Sequence, residues 1–482
     1  MPRLHISDRR ERALVTAADG IFAAVAAVAQ SWRRRHPLAA PRRILLLRLE
    51  RIGDLLMTLP AMADIREFAP YAEIDLVVGS WNRDLAQAIE PVTRVMTLDA
   101  AWLARDGAGL GLPSLLRAAR RWRAARYDLA INFEPDVRSN LLIAAAGARW
   151  TAGYASGGGG ALLDVALEYD TRAHTTDNAR RLVASVIDRK TSSGDRGPES
   201  VTRESTVGSR RPEAGPVGDQ ASALGSAGAS WTSGDSTIGR RVAGAPAAQP
   251  LLEIPADAQA RASLLLENAS GPVIGMHVSG GRAIKQWDPD RFAQVARGLI
   301  AARAATIVLT GSEGDRPIVD AVKRTLPAAS VVDVAGRADL LTLAALLTRT
   351  DLLVTGDTGP MHLAVAVRTP VVAVFGPSDP VRYAPRGTTD LVVRIDLPCA
   401  PCNRIRLPPA RCTGHTPDCL ALVSTDRVLA AALSVLDASA RCRDRQPGSA
   451  RPGPVADGRD FGSGGRGSAA EAEDAASRTS RA

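Results

Sequence analysis

The chain has 482 residues, 45% of them apolar and 23% charged, which excludes a wholly disordered polypeptide and supplies core for two or three domains. Its 60 Lys+Arg against 51 Asp+Glu give a formal charge of +9, but aromatics are only 4% and the arginines are scattered, so no stacking platform for nucleic acid is expected. The longest apolar stretch, Ile21 to Trp32, is shorter than the roughly 20 residues of a membrane span, and five cysteines, four of them bunched, do not resemble a secreted disulfide scaffold. With no cleavage site after that stretch, a cytoplasmic protein is the expectation.

In chain order, residues 1–40 are an Arg-rich extension around a helix candidate, Ala13 to Trp32, followed by Arg33, Arg34 and Arg35. An apolar face beside a basic cluster suits the cytoplasmic face of an anionic inner membrane; packing on the protein body or disorder fits equally well. Residues 41–190 alternate: RRILLLRL as strand, DLLMTLPAMADIREF as helix, IDLVVG and RVMTLD as strands, PSLLRAARRWRAA as helix, DLAINF as strand. Residues 191–250 are rich in Gly, Ser, Ala, Thr and Pro without apolar periodicity and read as a disordered linker or insert. Residues 251–440 alternate again, with strands PVIGMHVS, ATIVLTG, VVDVAG, DLLVTGD, VVAVFG and LVVRID separated by helices, and 441–482 read as a disordered tail. Unbroken Val/Ile/Leu runs suit strands buried on both faces, and repeated β–α units predict an α/β fold of two Rossmann-like, doubly wound domains. Ligands in such sheets bind beyond the carboxyl ends of the strands.

Three loops after strands carry the candidate chemistry. In Arg48–Asp54, Gly53 permits a tight turn and Asp54 opens a helix; on pattern alone a helix cap is the better reading of its carboxylate. No G-x-G-x-x-G follows this strand, which argues against a dinucleotide enzyme. In the second loop, Ser279, Gly280 and Gly281 lead to Lys285, one of only three lysines among 60 basic residues and placed as a point charge for phosphate. Asp288 and Asp290 beyond it read as helix capping around Pro289. In the third loop, Thr355–Ala364, small residues run into a helix whose free N–H groups and dipole suit a diphosphate. There Asp357 is placed for sugar hydroxyls, Thr358 and Gly359 for phosphate, and His362 lies one turn inside the helix. Glu313, after ATIVLTG, is a weaker candidate for a ribose, and Ser378 and Asp379 lie in the turn after VVAVFG. Cys399, Cys402, Cys412 and Cys419 have some of the spacing of a structural four-thiolate zinc site, but their second pair is six residues apart; free thiols or a disulfide are the alternatives.

RLERIGDLLMTLP, GGRAIKQW, TGSEGDRP, GDTGPMHLA and FGPSDP together, in this order, resemble the bacterial family 9 glycosyltransferases, the lipopolysaccharide heptosyltransferases. The resemblance covers both α/β blocks. It implies a GT-B architecture, two Rossmann-like domains facing a cleft, with acceptor on the first and nucleotide-sugar on the second. It further implies Asp54 as general base, with Lys285, Asp357, Thr358, Gly359 and His362 holding the donor. Ser279, Gly280 and Glu313 would line the donor side; Arg51, Gly53, Ser378 and Asp379 would form the acceptor side or shape its loops. The donor implied is ADP-heptose and the acceptor a glycolipid, with no cofactor or metal required. A two-domain nucleotide-sugar epimerase or a non-catalytic nucleotide-sugar-binding module would share the architecture.

Overall fold

The computed structural model describes residues 15–17, 19–20, 40–103, 109–192 and 252–445. Most of the expected N-terminal extension, insert and tail therefore lies outside the described residues. Val15 is buried and Asp19 accepts a hydrogen bond from the Gly159 N–H at 2.5 Å, so this part of the N-terminal helix candidate packs on the protein body.

The first unit contains β1 (Arg43–Arg48), α1 (Ile52–Leu56), α2 (Leu59–Phe68), β2 (Glu73–Val78), α3 (Arg83–Gln87), β3 (Arg94–Thr97), α4 (Leu112–Arg121), β4 (Leu129–Asn132), α5 (Val137–Ala146), β5 (Trp150–Tyr154), β6 (Val165–Leu167) and α6 (Thr175–Ser192). The second contains α7 (Ala256–Leu265), β7 (Val273–His277), α8 (Pro289–Arg303), β8 (Thr306–Thr310), α9 (Arg316–Lys323), β9 (Val331–Asp333), α10 (Leu340–Thr348), β10 (Leu352–Gly356), α11 (Gly359–Ala366), β11 (Val371–Val374), α12 (Pro380–Tyr383), β12 (Leu391–Val393), α13 (Asp418–Ala421) and α14 (Thr425–Arg445).

The strands form two six-stranded parallel sheets, ordered β3-β2-β1-β4-β5-β6 and β12-β11-β10-β7-β8-β9. Counted within its own unit, each sheet has the 3-2-1-4-5-6 order of a Rossmann fold. Leu45, Leu46 and Leu47 of β1 are fully buried because helices cover both faces, which is why the run reads as continuously apolar. Strands β5 and β6 escape the sequence pattern: WTAGY mixes small and polar residues, and VAL is too short to register. The single helix expected over 54–68 is two helices. Pro60, in the first turn of α2, has no N–H to give the preceding turn and starts a new helix instead. At the other end, α14 continues to Arg445, a few residues into the expected tail.

The strand order reverses between β1 and β4 in one sheet and between β7 and β10 in the other, and the loops leaving these strands border the crevices. The two units meet there. Helix α1 packs on α11, and Leu55, Leu56, Met361 and Leu363 belong to one buried apolar cluster. Asp177 and Arg386 form a bidentate pair at 2.6 and 2.7 Å, and His174 Nε2 lies 3.1 Å from the Ala384 carbonyl. Beyond the insert the chain rejoins the first unit through the Glu253 N–H, which donates to the Ala88 carbonyl at 2.8 Å.

Candidate active site

On the first unit the site is the turn between β1 and α1. Asp54 lies in the first turn of α1, but its side chain makes no capping bond; Oδ1 lies 3.3 Å from the Arg48 guanidinium instead. The helix-cap reading of Asp54 is therefore replaced by an ion pair. Arg48 is almost wholly buried and also donates to the Asp54 carbonyl and, at 2.5 Å, to the Phe133 carbonyl. Although burial works against its charge, the acidic groups beside it, Asp54 first and then Glu50 and Glu134, hold the guanidinium protonated. About a quarter of Asp54 remains exposed, so its second oxygen can meet a ligand while the first is held. Arg51 is exposed at the N-cap of the same helix.

Gly53 has a reason to be glycine. A Cβ there would lie 2.5 Å from the ring of His362, which belongs to the other unit. His362 thus reaches across the crevice, and its charge interacts with both Asp54 and Asp357. Burial nevertheless depresses its pKa, with Lys285 acting in the same direction, so a neutral ring is favoured.

On the second unit the loops after β7 and β10 bring Lys285 and Asp357 together, Nζ to Oδ2 at 2.7 Å, with a fifth or less of either side chain exposed. Burial alone would raise the Asp357 pKa, but Lys285 and His362, with a hydrogen bond from Ser378, hold it below the usual carboxylate value. Asp357, expected to serve sugar hydroxyls, is thus primarily the partner of Lys285. A lysine ammonium has three N–H donors, so the pair still offers a cation to the crevice. Thr358 precedes α11 with its hydroxyl 3.0 Å from that of Thr355, leaving the first N–H groups of the helix uncapped by its side chain. Gly359 sits against Ile52 of the first unit, and a Cβ at Gly280 would collide with the backbone of Gln286 at 2.7 Å.

Other expected residues are placed less centrally. Ser279 is buried and its hydroxyl meets His277 Nε2 at 3.0 Å, which ties it into the domain. Burial pushes His277 down to about 4. Glu313 is largely exposed, with its carboxylate over Gly336 and near Arg316. Asp379 caps α12 by accepting from the Val381 N–H at 2.9 Å. Asp288 caps α8, as expected, accepting from the Asp290 N–H at 2.8 Å. The four-thiolate site does not take shape. Among the described residues no group of three His, Cys, Asp or Glu is arranged to hold a metal ion, and all four cysteines are free. Cys419 lies buried on the short helix α13 against Gly376, whereas Cys399 is exposed. Burial, then the charges of Cys402, Cys412 and Cys399, pushes the Cys419 thiol up to about 11, so the cysteines share a neighbourhood without forming a site.

Sequence reasoning passed over Arg48, Glu50 and Glu134. The signal was available in two places: an arginine closing the apolar run ILLL, and a glutamate two residues beyond the strand LAIN.

Two facing Rossmann-type sheets, each with a polar constellation at its switch point, define the GT-B class of two-domain proteins. The family description "Glycosyltransferase family 9 (heptosyltransferase)" matches residues 238–408. In sequence the chain is 35% identical to lipopolysaccharide heptosyltransferase 3 of Escherichia coli K12 over 103 residues, covering 21% of this chain and 30% of that protein. It is 28% identical to lipooligosaccharide heptosyltransferase 2 of Campylobacter jejuni over 163 residues, covering 33% and 50%. The chain thus spans 30 to 50% of the length of these relatives. In structure it resembles E. coli ADP-heptose lps heptosyltransferase II, with TM-score 0.57, 19% identity and coverage of 83% and 99%. A family 9 glycosyl transferase from Veillonella parvula gives TM-score 0.57, 20% identity and coverage of 82% and 97%. The family 9 model thus matches about a third of the chain, and the two solved structures share its fold.

Proposed function

We propose that the protein transfers a sugar, heptose, from ADP-heptose to a lipopolysaccharide-core or related glycolipid acceptor, with inversion at the anomeric carbon. One observation carries the reading: a partly exposed carboxylate on the first unit faces the Lys285–Asp357 pair of the second, with His362 between them. The sequence relatives are heptosyltransferases by name, and the solved structure of similar fold is an ADP-heptose enzyme.

In this mechanism the acceptor hydroxyl oxygen forms a bond to the anomeric carbon as that carbon's bond to the diphosphate oxygen breaks. The hydroxyl proton passes to Asp54, and the bonding electrons leave with the nucleoside diphosphate. The growing charge on the leaving group is met by Lys285 and by the uncapped N–H groups at the start of α11. Arg48 keeps Asp54 oriented through one oxygen and leaves the other for the proton. Apolar contact between α1 and α11 limits water at the junction, which protects the donor from hydrolysis.

The test is transfer from a panel of nucleotide-sugars to core glycolipid, comparing the parent with Asp54→Asn. Turnover in the variant is expected to fall at least ~100-fold, a typical general-base contribution, with donor affinity kept within about twofold. Near-parental turnover overturns the assignment of Asp54. Donor conversion without acceptor would favour an epimerase, and tight nucleotide-sugar binding without any turnover a binding module. No helix among the described residues is long and apolar enough to cross a membrane. Work at the cytoplasmic face of the inner membrane is the setting this acceptor would require.

A further inference from the structure

Glu134 is a buried carboxyl group that the mechanism above leaves unused. It follows β4, the strand beside β1 at the switch point, and is only 2% exposed. Its Oε1 accepts hydrogen bonds from the Leu49 N–H at 2.6 Å and the Glu50 N–H at 2.8 Å, the two peptide groups just past the end of β1. They belong to the turn that leads into α1 and Asp54. Glu134 is itself anchored from below. Its N–H donates to Asn132 Oδ1 at 3.0 Å, and Asn132 Nδ2 donates to the Glu134 carbonyl at 2.9 Å and to Asn140 Oδ1 at 2.8 Å. Asn140 in turn donates to the Tyr154 and Gly158 carbonyls at 2.9 and 2.7 Å. A polar chain thus runs from β5 through α5 and β4 to the backbone that carries Asp54. Such a buried hydrogen-bonded network rigidifies what it holds.

We infer that Glu134 is a positioning residue of the reaction: its carboxyl clamps the turn that carries Asp54. The inference rests on the reading of Asp54 as general base. The groups facing Glu134 are Arg48 from β1, Glu50 from the turn and Asp54 from α1. Asp136 and Arg406 act on Glu50, Tyr169 acts on Arg48, and His362 faces Asp54 from the second unit. Burial, then Glu50, pushes Glu134 up to about 8, with Asp54 adding to the rise and Arg48 opposing it. Near neutrality Glu134 therefore keeps its proton, and Arg48 is balanced chiefly by Asp54 and Glu50. As pH rises through 8, a further negative charge appears beside Arg48.

The experiment compares the full-length parent with Glu134→Gln and Glu134→Ala by transfer kinetics and thermal unfolding from pH 6 to 9.5. Gln retains an oxygen for both N–H groups and imitates the protonated acid. At pH 6.5 the kcat of Glu134→Gln is expected within about twofold of the parent, because the amide oxygen keeps the clamp. Glu134→Ala removes both acceptor bonds, and kcat is expected to fall ten- to a hundredfold with donor KM unchanged; Glu134→Asp is expected to recover part of that loss. Thermal unfolding gives a readout that needs no activity. Because the folded-state pKa lies above the ordinary 4.5, folding favours the proton-bound acid, so parental stability relative to Gln falls as pH rises towards 8 and then levels off. A parental kcat in Glu134→Ala, or a Glu134→Gln variant as slow as Glu134→Ala, overturns the inference. Failure of the Asp54 reading is a separate outcome, because Asp54→Asn would then turn over normally whatever Glu134 does.

Discussion

The two halves of the crevice are built on opposite plans. On the second unit, the cation and its counter-ion come from loops after neighbouring strands, β7 and β10, and touch each other directly. On the first, Asp54 is held by Arg48, and the turn around it by Glu134, which comes from more than eighty residues further along the chain. The Lys285 side is a single direct pair, while the Asp54 side is a chain of contacts through Arg48 and Glu134. A motif of the first kind tolerates change in its surroundings; a network of the second kind transmits it.

Asp54→Asn is expected to give the largest effect, a loss of turnover with donor binding kept, because it removes the proposed proton acceptor and leaves the clamp in place. Lys285→Met should come next, acting on the donor side alone. It leaves the Asp357 carboxylate largely buried and unpaired, which by analogy with broken buried pairs costs about 3 kcal/mol of stability, and donor affinity should fall at least tenfold. Adding Asp357→Asn should restore stability, as read by denaturant unfolding, without restoring donor binding. The pH dependence has a definite sign: Asp357 is held below its ordinary 3.8, so its contribution is present above that pH and is lost as pH falls through the lower, folded-state value.

Gly53→Ala joins the two sides, since the new methyl group meets the His362 ring at 2.5 Å. Forcing atoms into a packed contact costs about 1–3 kcal/mol, and kcat should fall about tenfold. The double variant Gly53→Ala/His362→Ala should regain the lost stability; if it does not, the units do not meet at this point in solution. Asp177→Ala is expected to do least. Its pair with Arg386 bridges the units but is a quarter to a half exposed, so a cost below about 1 kcal/mol in thermal unfolding is expected, with turnover hardly changed.

Legibility in the sequence follows the same division. The apolar runs of β1, β7 and β10 and the Gly-rich turns after them can be read directly, because strands buried on both faces demand unbroken apolar residues. So could Lys285, conspicuous for its rarity, and Asp288 as a cap. Strands β5 and β6 could not, because the neighbouring strands and helices hold them in the sheet without an apolar run of their own. Glu134 follows an ordinary strand end, and nothing nearby marks it as the partner of Leu49 and Glu50.

The sequence by itself determined the α/β class, the repeated β–α units, the loops where chemistry belongs and the residue types suited to a diphosphate. Those features depend on local propensity and on residues near one another along the chain. Only the tertiary structure decided that Asp54 pairs with Arg48 instead of capping its helix, that Asp357 faces Lys285, and that His362 requires a glycine at position 53. It also decided that four cysteines with part of a metal spacing form no metal site among the described residues. The Lys285–Asp357 and Gly53–His362 contacts rest on distances between segments far apart in sequence, whereas Arg48 and Asp54, six residues apart, meet across the turn at the end of β1. Sheet order and the packing of one unit on the other set those distances, and one-dimensional spacing does not encode them.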